Sequence, residues 1–444
     1  MSIIFTITIC TLSIILGKLL FDRWFNHISL FSLNWSLFIV LYELKLINYV
    51  PISSLAWMVM IVGYISFLLG IITIMSARKA LNKKNRVNVE HSKLFSNLFI
   101  NEGKNLKIIA YVVSFIGLIS TFYNWNVLIN KFGSIQAVII QSNIIYQMRI
   151  NNEIKGTLPY VEMFLFVGIV LSSIYTAYKS KFSILPIISF TGILLLGIAF
   201  SGRANILLAF FLFFITFIFT RELLHQNNKN KKVSKYKFVV PLILVLVLSI
   251  GSVTIIRQFR GTLENFSAIS PALKKFNKSV IITPSIYLYF SSDIGVLSKY
   301  LEHDNERTRW GENTFISVYN ILSKFNVTRR PDVFSKGYYT PVWSNTGTFL
   351  REVHTDFGYA GILIFPYVLG LLTTFFWVKL IFDSDFRYFI PVIFFYALIG
   401  YSTIMLVTHL PFWTFSPVIL IFILKYLGEY NAKILNKKNC KINP

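Results

Sequence analysis

Long, nearly uninterrupted apolar runs dominate the chain, where a soluble fold would show short alternations of apolar and polar positions. The runs lie at about 2–20, 30–49, 54–76, 106–125, 158–178, 183–200, 204–220, 238–256, 358–379, 388–408 and 411–428. A run of about 20 apolar residues spans a hydrocarbon core of ~30 Å when helical, at about 1.5 Å per residue. The pattern predicts an all-α polytopic integral membrane protein with about eleven transmembrane helices. Its predicted organisation is transmembrane helices 1–8 with short loops over 1–256, one large extracytoplasmic loop domain over 257–357, and helices 9–11 with a basic cytoplasmic tail over 358–444. Within the large loop, apolar residues recur three and four apart at 284–301 and in NTFISVYNILSKF (313–325), which predicts amphipathic helices lying over the membrane.

Composition agrees with the pattern. The 444 residues are 55% hydrophobic and 14% charged, with a mean hydropathy of +0.62. A water-soluble chain of that balance would aggregate, and collagen, coiled coil, disorder and disulfide scaffolds are excluded. Cys10 lies in the first apolar run and Cys440 in the basic tail, so neither a disulfide framework nor a thiolate metal site is expected. The first run lacks a basic leader and an A-x-A-like cleavage site, and further spans follow it, so it is read as retained.

The net charge of +24 would suggest nucleic acid in a soluble chain, but here topology and anionic lipid account for most lysines, and no nucleic-acid partner is expected. Short loops rich in Lys and Arg stay cytoplasmic. The stretch 77–104 carries Arg78, Lys79, Lys83, Lys84, Arg86, Lys93 and Lys104, and 221–237 carries Arg221, Lys229, Lys231, Lys232, Lys235 and Lys237. Counting spans from these inner loops predicts an N-terminus outside and a C-terminus inside.

Arginine is distributed differently from lysine. Arg149, Arg203, Arg257, Arg260, Arg307, Arg309, Arg329, Arg330 and Arg351 all fall outside or at the outer boundary in this topology. Guanidinium is planar, always charged and binds phosphate oxygens bidentately, so an outer group of arginines suits a phosphate or pyrophosphate held at the membrane surface. Arg203, in SGRANILL (201–208), sits in a tight turn between two apolar helices, where a charge is costly unless water or an anion meets it. Arg257 and Arg260 end another run three residues apart, on one face if the helix continues.

The densest group of polar residues is in GTFLREVHTDFGYAGILIF (347–365), where Arg351, Glu352, His354 and Asp356 crowd the last turns before the ninth run. On a helix, Glu352 and Asp356 lie one turn apart, and a partly desolvated carboxylate there could act as general base toward a sugar hydroxyl. Gly358 and Gly361 read as close-packing positions. The six histidines form no H-x-x-x-H pair and there is no outer D-x-D, so no metal is expected, and His409 before Pro411 reads as structural. No Walker loop, Rossmann fingerprint or G-x-S-x-G elbow occurs.

These features resemble the bacterial oligosaccharide repeat-unit polymerases, the Wzy-type O-antigen and capsule polymerases. The likeness is clearest from WGENTFISVYNIL (310–322) through VWSNTGTFLREVHTDFGYAGILIFPYVLGLL (342–372), where DFG-x-x-G enters a late span and is moderately specific, with SGRANILL as a second, weaker match. The resemblance implies a GT-C-like helical fold in the bacterial cytoplasmic membrane and a donor glycan carried on undecaprenyl pyrophosphate. Polymer would be handed to a new lipid-linked unit without cofactor or metal. It further implies that Arg203, Arg257, Arg260, Arg329 and Arg330 bind pyrophosphate or glycan. Arg351 would assist the leaving group, and Glu352, Asp356 or His354 would serve as base. A flippase and a chain-length regulator of the same pathway are the implied partners. An O-antigen ligase acting on the same donor and a lipid-linked oligosaccharide flippase are the alternative readings.

Overall fold

The structure is a computed structural model that describes residues 2–80, 94–151, 153–158, 160–180, 183–200, 202–227, 268–276, 284–303, 306–332 and 335–442. It is 77% helical. The helices begin with α1 (Ser2–Phe21), α2 (His27–Glu43), α3 (Ser54–Ala80), α4 (Lys104–Phe132), α5 (Ile135–Ile140), α6 (Ser142–Ile150), α7 (Met163–Lys179), α8 (Leu185–Ala199) and α9 (Ala204–Asn227). They continue with α10 (Pro271–Lys274), α11 (Pro284–His303), α12 (Ile316–Lys324), α13 (Phe349–Phe357), α14 (Tyr359–Ile381), α15 (Phe389–Tyr401) and α16 (Pro411–Ile442). Two antiparallel two-residue strands, β1 (Tyr338–Tyr339) and β2 (Trp343–Ser344), are the only named strands among the described residues.

Among the described residues, six helical segments, those built on α1, α3, α4, α9, α14 and α16, are long and apolar enough to cross a membrane, and α7, α8 and α15 are apolar but shorter. The predicted second run, 30–49, overlaps α2 only to Glu43, and α2 is not among these nine helices, while the eighth run, 238–256, lies outside the described residues. Large apolar side chains stand outward on several of these helices, among them Ile4, Leu12 and Leu19 of α1 and Phe422 of α16. That arrangement is costly in water and expected in lipid. The chain is an all-α membrane protein.

Contacts group the chain into two compact units, Met1–Lys83 with Thr262–Phe375 and Phe395–His409, and Lys84–Gly261 with Phe376–Phe394 and Leu410–Pro444. The first unit is built on an aromatic core. Phe31 stacks on Phe67 of α3 at 4.6 Å, and Phe31 and Trp35 of α2 both meet the edge of Phe349, the first residue of α13. The α3–α14 crossing is set by glycine: a Cβ on Gly70 would strike the Tyr367 carbonyl, and one on Gly370 the Phe67 carbonyl. Backbones approach this closely only where side chains are absent, the device by which apolar helices pack in lipid. Helix α11 occupies the predicted amphipathic stretch, but Ile294, Val296, Leu297 and Tyr300 are fully buried, so its apolar face is used inside the unit and not on a membrane.

The second unit is centred on α7, whose residues from Leu165 to Ala177 are all buried. A helix apolar all round belongs in such a centre. Small residues bring its neighbours close: Ser189 of α8 donates to Ser114 of α4 at 2.8 Å beside Gly168, and Ser173 of α7 donates to the Phe213 carbonyl of α9 at 2.8 Å. At one end Lys179 pairs with Glu102 at 2.7 Å.

Candidate functional site

Helix α13 carries the predicted polar group, and its boundaries explain the motif around it. Thr348 adopts an extended conformation before the helix, and the Phe349 N–H donates to the Ser402 carbonyl at 2.9 Å. Gly358 ends the helix at φ 65°, ψ −152°, a conformation that essentially only glycine adopts. A Cβ on Gly361 would run into the Val353 carbonyl. The two glycines of DFG-x-x-G thus permit a sharp break between α13 and the span α14.

Every residue from Phe349 to Asp356 is buried, so Arg351, Glu352, His354 and Asp356 all sit inside the first unit. Buried ionisable groups persist only with partners or as neutral forms. Arg351 Nη2 donates to the Lys336 carbonyl at 2.6 Å and lies 3.3 Å from Glu306 Oε2. Its guanidinium is held over the rings of Tyr300 at 5.3 Å and Tyr338 at 5.1 Å. Two aromatic faces stabilise a desolvated cation. His354 Nδ1 shares a 2.7 Å hydrogen bond with the Tyr300 hydroxyl, and its carbonyl accepts from Arg307. Burial first, and the charge of Arg307 second, push the His354 imidazole down to about 4.

The two carboxylates differ sharply. Asp356 Oδ1 accepts from the Thr308 hydroxyl at 2.6 Å and from the backbone and side-chain N–H groups of Asn313 at 3.0 Å each. Its Oδ2 accepts from the Thr314 N–H at 2.7 Å and hydroxyl at 2.8 Å. Five donors make Asp356 the anchor of the 308–314 turn that leads into α12. Glu352 has one oxygen on the Leu406 N–H and the other 3.5 Å from His409 Nε2. Burial raises Glu352 to about 8, against the opposing pull of the Leu406 N–H and Arg351, and burial lowers His409 to about 4. Between those values both groups are neutral, so this contact is dipolar even though its distance is that of an ion pair.

Asp293 of α11 adds a further carboxyl. It is fully buried beside Thr346, burial raises it well above the ordinary carboxyl range, and its field reaches Glu352. Sequence reading passed over Asp293 although a signal was present: it falls on the stripe Val296, Leu297 and Tyr300 at spacings of three, four and seven. His409, Tyr300 and Glu306 had no local signal, since only the fold brings them to α13.

The described residues among the predicted binding arginines fall in both units. Arg203 is buried just ahead of α9 in the second unit, and in the same unit Arg149 stacks over Phe200 at 4.6 Å. Arg329 and Arg330 are exposed after α12, and Arg257 and Arg260 lie outside the described residues. Among the described residues no three His, Cys, Asp or Glu side chains converge to hold a metal ion.

No family model matches the chain, and neither a curated protein nor a solved structure matches it. The fold and site therefore define a class: a helical membrane protein with a buried cluster of ionisable residues directly before one of its spans.

Proposed function

We propose that the protein is a membrane glycosyltransferase that polymerises undecaprenyl-pyrophosphate-linked oligosaccharide repeat units on the outer face of the bacterial cytoplasmic membrane. The observation that carries this reading is the burial of four ionisable residues on the nine-residue α13, within the segment that resembles repeat-unit polymerases. In this reading the chain crosses the membrane about eleven times, with the N-terminus outside and 257–357 on the outer side.

Glu352 is the base. Its raised affinity for protons matches it to an acceptor hydroxyl better than an ordinary carboxylate would be. The acceptor O–H proton passes to Glu352 as the oxygen bonds to the donor anomeric carbon. The bond from that carbon to the pyrophosphate oxygen breaks, and the electron pair leaves with undecaprenyl pyrophosphate. Arginine guanidinium, which the resemblance assigns to the leaving pyrophosphate, offsets the charge that develops there. Arg351 and Asp356 hold the surrounding loops in place, and His354, hydrogen-bonded to Tyr300, is the reserve base. The partners are the lipid-linked glycans and membrane lipid, with a flippase and a chain-length regulator acting before and beside it.

The test is purified protein with lipid-linked repeat units and a chelator. A ladder of polymer supports the reading. Transfer of single chains to a lipid A-like acceptor without a ladder would replace it with the ligase, and absence of any transfer would remove the enzyme.

A further inference from the structure

The polymerase reading does not use α12, and this helix carries an exposed apolar stripe. Its inner side is fixed to the first unit. Ile316 and Ser317 are buried, the Asn313 carbonyl accepts from the Thr408 hydroxyl at 3.1 Å, and Asp356 holds the turn before it. Its outer side presents Phe315, Val318, Ile321 and Phe325, all exposed, the last at 74%. The spacing of three, three and four puts them on one face. A soluble surface rarely keeps a contiguous apolar stripe without a partner.

The location of the stripe indicates what covers it. Phe315 stacks with Trp310 at 6.4 Å, and Trp310 meets the ring of Phe357 edge-on at 5.1 Å. Phe357 stands two residues before Tyr359, where the span α14 begins, and Tyr359 is itself exposed. The stripe therefore starts at the level where a span leaves the polar segment, which is the depth at which tryptophan and tyrosine collect at membrane interfaces. Beyond the stripe the chain turns to Arg329 and Arg330, both exposed. Arg309 holds that turn rigidly: it pairs with Glu312 at 2.7 Å, covers the Tyr319 ring at 4.8 Å and donates to the Arg329 carbonyl at 2.9 Å. An apolar helix face flanked by cations is the pattern of a helix lying in a bilayer surface, with its cations at lipid phosphates.

We infer that α12 is an interfacial membrane anchor, its Phe315–Val318–Ile321–Phe325 face seated at the headgroup–acyl boundary and Arg329 and Arg330 on the phosphates of bulk anionic lipid. Asp356 then joins this anchor to the start of α14, so the polar cluster is held at a fixed depth relative to the bilayer. The inference needs only a membrane protein and does not depend on the polymerase chemistry.

The experiment uses the full chain with Cys10→Ala and Cys440→Ala, reconstituted in nanodiscs containing phosphatidylglycerol and no glycan substrate. Single cysteines at Val318→Cys, Ile321→Cys and Phe325→Cys carry a nitroxide, with Asp332→Cys as the exposed polar reference. Collisions with oxygen, which concentrates in lipid, are compared with those of a water-soluble nickel chelate. The expected result is an oxygen-dominated signal at the three stripe positions and a nickel-dominated one at 332. Arg329→Glu with Arg330→Glu should shift the stripe signals toward nickel in these nanodiscs, and less so in phosphatidylcholine alone. Nickel access at the stripe equal to that at 332 would overturn the inference. Shielding from both reagents, the mark of a second copy covering the helix, would also overturn it, as would lipid exposure that arises only when lipid-linked glycan is added.

Discussion

Replacing Asp356 with alanine tests whether this carboxylate is an anchor or a base. The substitution removes the acceptor for five donors, two of them the backbone N–H groups of Asn313 and Thr314. The Thr308 and Thr314 hydroxyls can rotate elsewhere, and the Asn313 amide keeps a 2.8 Å bond to Thr355 Oγ1. The two backbone donors cannot move. Leaving each unsatisfied costs about 1–3 kcal/mol, so the turn should lose on the order of 4 kcal/mol. At about 1.4 kcal/mol per tenfold, local opening rises roughly a thousandfold. Hydrogen exchange at the amides of 313 and 314, followed by mass spectrometry in nanodiscs, reads this directly. Asp356→Asn keeps one acceptor oxygen and should lose about half as much protection. The reasoning is refuted if Asp356→Ala leaves these amides as protected as in the parent protein. If it does so while abolishing polymer, Asp356 acts on substrate and not on the turn.

Other expected outcomes follow from the same geometry. Burial lifts Glu352 from an ordinary 4.5 to about 8, so folding favours its neutral form. Its contribution to stability is complete below pH 4.5 and is lost as pH rises to about 8, and Glu352→Gln should flatten a thermal-stability profile over that window. In polymer assays the parent activity should rise toward pH 8 and Glu352→Gln should be inactive at every pH. Arg351→Lys keeps the charge but gives up the planar group between Tyr300 and Tyr338. A loss of about 1–2 kcal/mol is expected, read as a lower melting temperature in detergent. Gly70→Leu and Gly370→Leu each force a side chain into a facing backbone carbonyl and should leave little folded protein, whereas Leu substitution at exposed Val368 of the same span should be tolerated. Arg203→Ala should leave protein in the membrane and abolish chain extension, with little recovery by Arg203→Lys; a normal ladder would show that chain extension does not need Arg203.

The helical membrane class was readable because a run of apolar residues reports directly on the solvent around it. The residues 284–301 show the limit of that logic. Three-and-four spacing correctly predicts a helix there, but periodicity says only that one face avoids water. Helix α11 turns that face into the protein while α12 leaves its own outward, and only the fold distinguishes the two. The group on α13 was legible as unusual because four ionisable residues crowd the approach to an apolar run. Its partners were not. Arg351 meets Lys336 and Glu306 across loops, and Glu352 meets Leu406 and His409 from beyond the next span. Such pairings are set by chain folding over more than fifty residues for Glu352 and leave no local spacing.

Two carboxylates one helical turn apart looked equivalent as bases in the sequence. What separates them is the number of donors that each must satisfy. A carboxylate whose two oxygens already accept five hydrogen bonds has its lone pairs committed to those donors, so Asp356 is suited to holding a turn. A carboxyl with one backbone donor, a neutral imidazole at 3.5 Å and burial on every side resists ionisation, and gains affinity for a proton as a result. In the proposed reaction the same α13 helix would supply both a rigid support and the base. Because Asp356 fastens α13 to the turn preceding α12, loosening that turn should disturb Glu352 less than substituting Glu352 itself. Asp356→Asn should therefore retain measurable polymer synthesis under conditions in which Glu352→Gln has none, and equal loss in the two variants would show that the anchor and the base cannot be separated.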